Sequence, residues 1–493
     1  MKVAIEGCCH GQLNAIYKHI AELEAKDNYK VDLLICCGDF QAMRNRQDLQ
    51  CMAAPEKYRD MGDFHSYYTG ERTAPMLTLV IGGNHEASAY LWELYHGGWL
   101  APNIYFLGHA GCVQVNGVRI AGTSGIFKGN DFHQGHWEKL PYTSGSMRSI
   151  YHVREYNIKR LSLLSSPNIV ISHDWPQGIE HHGDLRYLLQ RKPFFRGDIA
   201  SGQLGSPPLM GLLKVLKPDW WFSAHLHVRF TGSVLHDADD QPTAGPPTVE
   251  NPDEISIEDE DDDTTSKEAN TLQTPQPTED QNPDEIVLDE EIETVATPPK
   301  PVIQRETKFI ALDKCLPRRQ FLEVIDIPTT PVRPRSGKDK PDSNAPRLTF
   351  DPEWLAVTRA FHPFLSTTRH QPRMPDEEQA REMVRTELEW VLANVGDKAE
   401  RDGLRDVDEC QVFWATAPGP GGEQGDKSNQ PPWYTNPQTV AFCAMLEIDN
   451  KINPPPPQAT YSSPDAKENP TPHPPHQEKE SPSGTSKPLS MGS

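Results

Sequence analysis

The sequence lacks any long apolar run, and this absence limits the classes of protein that it can encode. No stretch of the 493 residues approaches the roughly 18 consecutive apolar residues that a membrane-spanning helix needs. The first residues, MKVAIEGCCHGQ, carry an acid and two thiols where a secretory signal would have its apolar core. We therefore expect a protein that contacts no membrane.

Cysteine is present, but in no pattern that indicates disulfides or a zinc finger. The nine cysteines are an odd number, and two adjacent pairs, Cys8–Cys9 and Cys36–Cys37, cannot easily be joined. Because no secretory signal is found, we expect reduced thiols and a location in the cytosol or nucleus.

Apolar residues are also scarce for a chain of this length. They make up 36% of the sequence, which contains 46 prolines and has a mean hydropathy of −0.63; part of the chain is therefore expected to lack a packed core. The net charge of −22 is unevenly distributed. Residues 1–235 hold 23 Lys/Arg against 21 Asp/Glu, whereas the other 258 residues hold 25 against 49. The acidity belongs to the second part and does not exclude a polyanionic substrate for the first.

Residues 1–235 alternate between apolar runs and segments of helical periodicity. Continuous apolar runs separated by helices indicate a sheet that is buried on both faces, and hence an α/β architecture. A helix is predicted over 14–25, and the strands are predicted over 2–6, 31–37, 77–81, 104–107, 113–115, 120–122, 169–172 and 220–224.

The rest of the chain divides into three parts. Residues 236–304 predict a disordered acidic linker, since they combine Pro, Thr and Gln with the runs ISIEDEDDD and IVLDEE. These runs resemble ubiquitin-like-modifier interaction motifs, although a solvated linker is the commoner explanation. Residues 305–450 predict a small α+β unit with a helix over 377–394 and a loop at about 328–346, and 451–493 predict a disordered tail.

Polar residues follow five of the apolar runs at the point where each run ends. In open α/β sheets the carboxyl ends of the strands form the ligand-binding crevice. Thiol, imidazole, carboxylate and amide groups would meet there, and this set suits first-row divalent metals. A single histidine of this kind is more often a core residue, but the combination of five segments favours a metal site. The segments are Cys8-Cys9-His10, Gly38-Asp39, Gly83-Asn84-His85-Glu86, Ser172-His173-Asp174 and Ala224-His225-Leu226-His227.

The order of these segments resembles the calcineurin-like metallophosphoesterase superfamily, whose fold is a β-sandwich flanked by helices. Cys8 stands where most members have a metal-binding aspartate. This cysteine and six further segments make the chain similar to the RNA lariat debranching enzymes. The segments are CGDFQAMRN, GGNHEASAYL, SGIFKGNDF, RSIYHVRE, SHDWP and AHLHVRF. A weaker similarity, in TKFIALDKCLPRRQFL and LTFDPEWLAVTRAFHPFL, extends to the C-terminal region of that family.

The resemblance implies two divalent metal ions, Fe²⁺, Zn²⁺ or Mn²⁺, bridged by Asp39. Thiolate at Cys8 favours Zn or Fe(II) over Mn. The implied ligands of the first ion are His10, Asp39 and His227, with Cys8 as an additional or variable ligand, and those of the second are Asp39, Asn84, His173 and His225.

The resemblance also implies hydrolysis of the 2′,5′-phosphodiester at the branch point of excised intron lariats, leaving a 2′-hydroxyl and a 5′-phosphate. Two ions can clamp the phosphate and activate a water. The leaving alkoxide still needs a proton, for which His85 is the candidate general acid, with Glu86 or Asp174 as possible orienting carboxylates.

Residues 124–157 are the candidate lariat-recognition segment because cations alternate there with aromatic residues, a composition that suits phosphates and stacked bases. An ordinary loop that packs its aromatics on the domain is the alternative interpretation. A nuclear location follows from the place where lariats are made. The rival functions are a phosphoesterase of the same fold acting on phosphoproteins or cyclic nucleotides, and an inactive RNA-binding scaffold. The candidate substrate-binding residues are Lys128, Arg148, Tyr151, Arg154 and Tyr156.

Overall fold

Two β-sheets with flanking helices make up the described part of the protein. The computed structural model describes residues 1–236, 305–329, 345–396 and 403–455. The strands are β1 (Lys2–Glu6), β2 (Leu33–Cys36), β3 (Leu77–Val80), β4 (Gly98–Ala101), β5 (Ile104–Phe106), β6 (Ala110–Val115), β7 (Val118–Thr123), β8 (Ile169–Ser172), β9 (Trp220–Ser223), β10 (Phe230–His236), β11 (Arg305–Ala311), β12 (Leu322–Asp326) and β13 (Leu348–Phe350). The α-helices are α1 (Leu13–Asp27), α2 (Phe64–Tyr68), α3 (Ser88–Glu93), α4 (Gly129–Phe132), α5 (Ser144–Ser149), α6 (Glu155–Leu161), α7 (Leu185–Arg191), α8 (Arg196–Ala200), α9 (Pro207–Leu216), α10 (Pro352–Phe361), α11 (Glu377–Asn394) and α12 (Pro437–Met445).

The first sheet has the order β12-β1-β2-β3-β5-β4, and β1, β2, β3 and β5 run parallel. All four residues of β2 are buried, which explains its unbroken apolar sequence. Glu6 pairs with Cys36, which pairs in turn with Val80. The loops that follow these strands therefore leave the sheet at the same level.

The second sheet has the order β10-β11-β9-β8-β7-β6-β13, with β7, β8 and β9 parallel. Side chains alternate between the faces of a strand. Leu33 and Ile35 accordingly pack into the apolar core that also holds Ile120, Val170 and Phe222 of the second sheet, whereas Leu34 packs into a core shared with α1. The expected metallophosphoesterase-type sandwich is confirmed.

The C-terminal region contributes strands to both sheets. Strand β12 pairs antiparallel with β1, β11 lies between β9 and β10, and β13 pairs with β6. The described residues up to Pro454 accordingly form one compact unit. The reason is long-range strand pairing, which complements the sheets of the N-terminal region and is not visible in a local sequence pattern.

The predicted helix over 377–394 corresponds to α11, and the start of the expected linker, His236, belongs to β10. The remainder of that linker with its two acidic runs, most of the expected loop at 328–346, and the tail beyond residue 455 lie outside the described residues. None of the helices in the described ranges is long and apolar enough to cross a membrane.

Candidate metal centre

Four side chains from the loops after β1, β2 and β9 converge on one point. Ligand atoms of Cys8, His10, Asp39 and His227 all lie within 4.8 Å of one another. His10 Nε2 is 3.3 Å from His227 Nε2 and 3.6 Å from Asp39 Oδ2. This is the set that the sequence resemblance implied for the first ion, with Cys8 close enough to contribute its sulfur.

The set implied for the second ion lies on the other side of the same carboxylate. His173 Nε2 is 3.4 Å from Asp39 Oδ1 and 3.2 Å from Asn84 Oδ1. The ring of His225 has its centroid 5.1 Å from that of His173. Because one oxygen of Asp39 faces His10 and the other faces His173, this carboxylate has the placement of a ligand that bridges two ions.

The backbone turns sharply where it delivers these ligands. His10, Asp39, His225 and His227 adopt positive φ angles of 45°, 48°, 62° and 47°. Such conformations are uncommon for residues other than glycine and cluster at functional sites, where the surrounding structure maintains them.

Glycine at position 83 is required by the close approach of Asp39. A Cβ added at Gly83 would lie 2.2 Å from Asp39 Oδ1 and 2.7 Å from the ring of His173. Both contacts are far below van der Waals distance, so any side chain at this position would displace the carboxylate. The glycine of the Gly-Asn-His-Glu segment therefore serves the site directly.

The electrostatics of the centre favour a bound cation. Burial opposes ionisation of Asp39, but His173 and His85 outweigh it and hold the pKa of Asp39 well below its usual range. Burial, followed by the neighbouring His173, lowers the pKa of His225 to about 3. Burial and His10 likewise lower the pKa of His227 well below its ordinary value. The neutral forms of His225 and His227 and the ionised form of Asp39 are the protonation states in which these three residues bind metal.

Hydrogen bonds orient the candidate ligands. His173 Nδ1 is 2.8 Å from the carbonyl oxygen of Cys37, which leaves Nε2 toward Asp39. Gln41 Nε2 is 3.3 Å from His10 Nδ1. Second contacts of this kind set the tautomer and direction of a metal-binding imidazole. The donor types, their spacing and these contacts therefore fit a dinuclear divalent metal site; sequence reasoning missed Gln41, which has no signal beyond its position two residues after Asp39.

His85 lies partly exposed at the edge of this centre. Its backbone N–H donates to Asp39 Oδ1 at 2.8 Å, and its ring centroid is 5.7 Å from that of His10. Both rings line a cleft of about 200 Å³ together with Gln41, Tyr58 and Lys314. The imidazole of His85 is thus beside the candidate ligands and open to a substrate.

Glu86 and Asp174 do not orient His85 as the sequence suggested. Glu86 is buried and accepts backbone N–H bonds from Phe40, Gln41 and Gly83 at 2.8–2.9 Å. Asp174 accepts backbone N–H bonds at 3.2 and 2.8 Å, from Phe127 and Trp175. Both carboxylates therefore fix the loops that carry the ligands.

Lys314 is a cleft residue that sequence reasoning missed. It follows β11, and its backbone forms an isolated bridge with Cys8, next to which the Cys315 N–H donates to the Cys8 carbonyl at 3.0 Å. The C-terminal region thus places a cation beside the candidate ligands. Its signal was available, since Lys314 ends the apolar run KFIAL as the other site residues end theirs.

The five residues predicted to bind substrate have different positions. Arg148 is exposed and Lys128 is partly exposed, so both are available to a ligand. Tyr151 is buried. Arg154 is fully buried and bonds to Glu138 at 2.6 Å, and the buried Tyr156 donates its hydroxyl to the Phe361 carbonyl at 3.1 Å. Tyr151, Arg154 and Tyr156 are thus held by internal packing or internal partners. Their contact with RNA stays a prediction.

Comparison with known proteins gives consistent matches over both parts of the chain. Residues 1–229 match the calcineurin-like phosphoesterase family, which implies a dinuclear divalent metal site, and residues 304–451 match the family described as lariat debranching enzyme, C-terminal domain. Proteins named lariat debranching enzyme are 45% identical in Drosophila melanogaster (92% of this chain, 78% of that protein) and 41% identical in Schizosaccharomyces pombe (93% and 98%). The one in Homo sapiens is 39% identical (91% and 69%). The chain therefore belongs to the lariat debranching enzyme family.

Proposed function

We propose that this protein hydrolyses the 2′,5′-phosphodiester bond at the branch point of RNA lariats and releases a 2′-hydroxyl and a 5′-phosphate. The observation that carries the proposal is the placement of Asp39 between two groups of candidate ligands, in a chain of this family. The activity is that of a metal-dependent phosphodiesterase. Its biological role would be the turnover of excised introns in mRNA processing.

The candidate ligands divide around Asp39 into a sulfur-containing group and an oxygen-containing group. Cys8, His10 and His227 would hold one ion, and the other would be held by Asn84, His173 and His225, with Asp39 shared. When bound, two divalent ions stabilise the charge on the phosphate and make a water nucleophilic at neutral pH. The sulfur of Cys8 favours Zn²⁺ or Fe²⁺ over Mn²⁺ at its site.

His85 would donate the proton that the leaving 2′-oxygen requires. Its ring is partly exposed beside the candidate ligands, and its backbone N–H is fixed on Asp39. A group that is not a ligand can carry a proton without disturbing the metals, so the roles of binding and protonation are separated between neighbouring residues.

The substrate class is supported by the family, by one cation that lines the cleft and by two accessible cations on the 124–157 segment. Lys314 lines the cleft, and Lys128 and Arg148 remain accessible on the 124–157 segment. These positive side chains suit the phosphates of a branched RNA. Because branched introns arise in the nucleus, we infer a nuclear location. A contact of ubiquitin-like modifiers with the acidic linker is a separate hypothesis that lies outside the described residues.

Product analysis tests the proposal. A synthetic RNA with one internal 2′,5′ branch would be cut at the branch, and the released strand would carry a 5′-phosphate that a 5′-phosphate-dependent exonuclease can degrade. Release of a 3′-phosphate, or cleavage of phosphoproteins or cyclic nucleotides with the branch left intact, would contradict it. Binding of the RNA without turnover at any metal would instead support an inactive scaffold.

A further inference from the structure

A basic and aromatic surface lies on two segments that contain none of the candidate metal ligands and not His85. It is formed by residues 186–196, around α7 and α8, and by residues 314–319, after β11. We propose that this surface, named here the arm surface, binds one single-stranded RNA arm of the branched substrate as it leaves the metal centre. The inference rests on the proposed debranching function and deepens it.

The two segments are positively charged in a protein whose net charge is −22. Together they contain seven cations and no acid: Arg186, Arg191, Lys192, Arg196, Lys314, Arg318 and Arg319. Arg319 lies 3.5 Å from Asp313. Within the described ranges, Arg186, Arg191 and Arg196 are exposed and make no ion pair. Their charges are therefore available to an anionic ligand, and phosphates are the groups that such charges attract along a single strand.

Two of the neighbouring acids, Asp313 and Asp184, are engaged by the protein, and Asp198 of α8 is one further charge against the seven cations. Asp313 accepts the backbone N–H of Lys314 at 2.8 Å in addition to its contact with Arg319. Asp184 caps α7 by accepting the backbone N–H of Tyr187 at 2.9 Å. Neither carboxylate is placed to neutralise the exposed arginines, so the surface retains its positive charge.

Apolar side chains are exposed among these cations. Tyr187, Phe194 and Leu316 are 36%, 59% and 36% exposed. The ring of Phe194 is held edge-on against the buried Phe195, at a centroid distance of 4.7 Å, and Lys192 Nζ lies 5.6 Å from its centroid. A fixed, exposed ring beside a cation is the arrangement on which a base stacks while its phosphate is paired.

The fold brings the two segments together. Gly183, just before α7, pairs with Gly232 of β10, and Gly232 pairs with Phe309 of β11, which leads into Lys314. Electrostatics agree with this placement: burial lowers the pKa of Lys192, Asp313 opposes that change, and Arg319 and Lys314 lower the pKa further.

The arm surface is continuous with the cleft through Lys314. This residue lines the cleft with His10 and His85, while Leu316, Arg318 and Arg319 follow it directly in the exposed part of the segment. An RNA strand attached at the branch would therefore meet Lys314 first and the arginines and Phe194 beyond it. The surface would select branched RNA with extended arms over a minimal branch.

The test compares two branched substrates, a minimal branched trinucleotide and one whose arms each extend by ten nucleotides. The full-length metal-loaded protein is expected to prefer the extended substrate in kcat/KM by about 10-fold, as one stacked base and several phosphate contacts would give. The triple variant Arg186→Gln, Arg191→Gln, Arg196→Gln is expected to reduce that preference to about 1–2-fold. Its slope of log affinity against log salt for a linear single-stranded RNA should be smaller by about 2.

Two further variants keep the test decisive. A control triple variant makes the same charge change at exposed positions of α1 and α11, and it should retain the full preference for the extended substrate. Its substitutions are Lys18→Gln, Arg381→Gln and Arg385→Gln. Phe194→Ala should lower the preference for the extended substrate severalfold without any change of charge. This variant tests the proposal even if the triple arginine variant fails to fold. An equal kcat/KM for both substrates in the unmodified protein, or a preference that both arm-surface variants retain, would overturn the inference. No cleavage of either substrate would instead count against the debranching function itself.

Discussion

His173 Nε2 and Asp39 Oδ1 lie 3.4 Å apart with both side chains buried, and each shifts the protonation of the other toward the charged form. Despite burial, the pKa of His173 is raised by Asp39, and that of Asp39 is held low by His173. The other oxygen of Asp39 faces His10. One carboxylate thus connects the two halves of the candidate metal centre.

Replacing this carboxylate should empty the centre. Asp39→Asn removes the negative charge that lies between the two groups of imidazoles. Loss of a residue that only hydrogen-bonds a metal ligand lowers metal affinity by up to about 100-fold, and we expect a larger fall for this substitution. Metal content measured by plasma mass spectrometry should fall from two ions per chain to less than one. Asp27→Asn, at the exposed end of α1, is the matched control; two retained ions in Asp39→Asn would contradict the bridging role.

His85→Ala should separate proton donation from metal binding. We expect two bound ions and a single-turnover rate lower by about 10²–10⁴-fold, the usual contribution of a general acid. A substrate with sulfur in place of the bridging 2′-oxygen has a leaving group that needs no proton. The variant should therefore cleave it at nearly the rate of the unmodified protein.

The control for this prediction is His370→Ala, which alters an exposed histidine on the C-terminal region. A loss of metal in His85→Ala would show that this histidine is a ligand. An equal rate deficit on the sulfur-containing substrate would show that its role is not protonation.

Cys8→Ser should change metal preference more than stability. Burial and the adjacent Asp39 raise the pKa of the Cys8 thiol, so its thiolate needs a bound cation for its stability. Oxygen in its place favours harder ions. In competition measurements, we expect the ratio of Zn²⁺ to Mn²⁺ affinity to fall by at least about 10-fold. Cys9→Ala, a change in the core shared with α1, should leave that ratio unchanged; an unchanged ratio in Cys8→Ser would show that Cys8 is not a ligand.

Stability should fall on acidification through buried histidines remote from the metal centre. Burial, followed by His109 and Arg154, lowers the pKa of His136 well below its ordinary value. The folded protein then holds His136 neutral while the unfolded chain protonates it below about pH 6.5. The contribution of neutral His136 to the free energy of unfolding is complete above about pH 6.5. It is lost, by about 1.4 kcal/mol per pH unit, as the pH falls from there toward the pKa of His136 in the folded protein.

Urea unfolding at pH 7.5 and pH 5.5 measures the effect. His136→Phe keeps the ring contacts with Trp92 and Tyr95 and removes the titration, so its loss of stability between the two pH values should be smaller by about 1.4 kcal/mol. His370→Phe, at an exposed site, should show the same loss as the unmodified protein. Identical losses in all three proteins would contradict the prediction.

The sequence predicted those strands and helices whose local pattern of apolar residues directly reflects how they are buried in the fold. Strand β2 is buried on both faces, so its sequence is continuously apolar, and α11 has caps and periodicity that define its limits. The candidate ligands were visible because each follows a strand, and parallel strands end at one edge of a sheet.

Other features depend on partners distant in sequence and could not be predicted in this way. The insertion of β11 between β9 and β10 is decided by pairing across residues that are far apart along the chain. Arg154 lies in a segment whose basic and aromatic composition is typical of RNA binding. Only the three-dimensional position of Glu138 shows that Arg154 forms a buried ion pair. Such long-range contacts are absent from composition and periodicity.

Cleavage of a synthetic branched RNA by metal-depleted and restored protein tests the central claim most directly. The substrate contains one internal 2′,5′ branch, a linear 3′,5′ RNA of the same composition is the control, and Zn²⁺, Fe²⁺ or Mn²⁺ is restored in turn. The predicted result is metal-dependent cleavage at the 2′,5′ bond alone, with the linear RNA intact. Cleavage of neither RNA with any of these ions, or equal cleavage of both, would contradict the account.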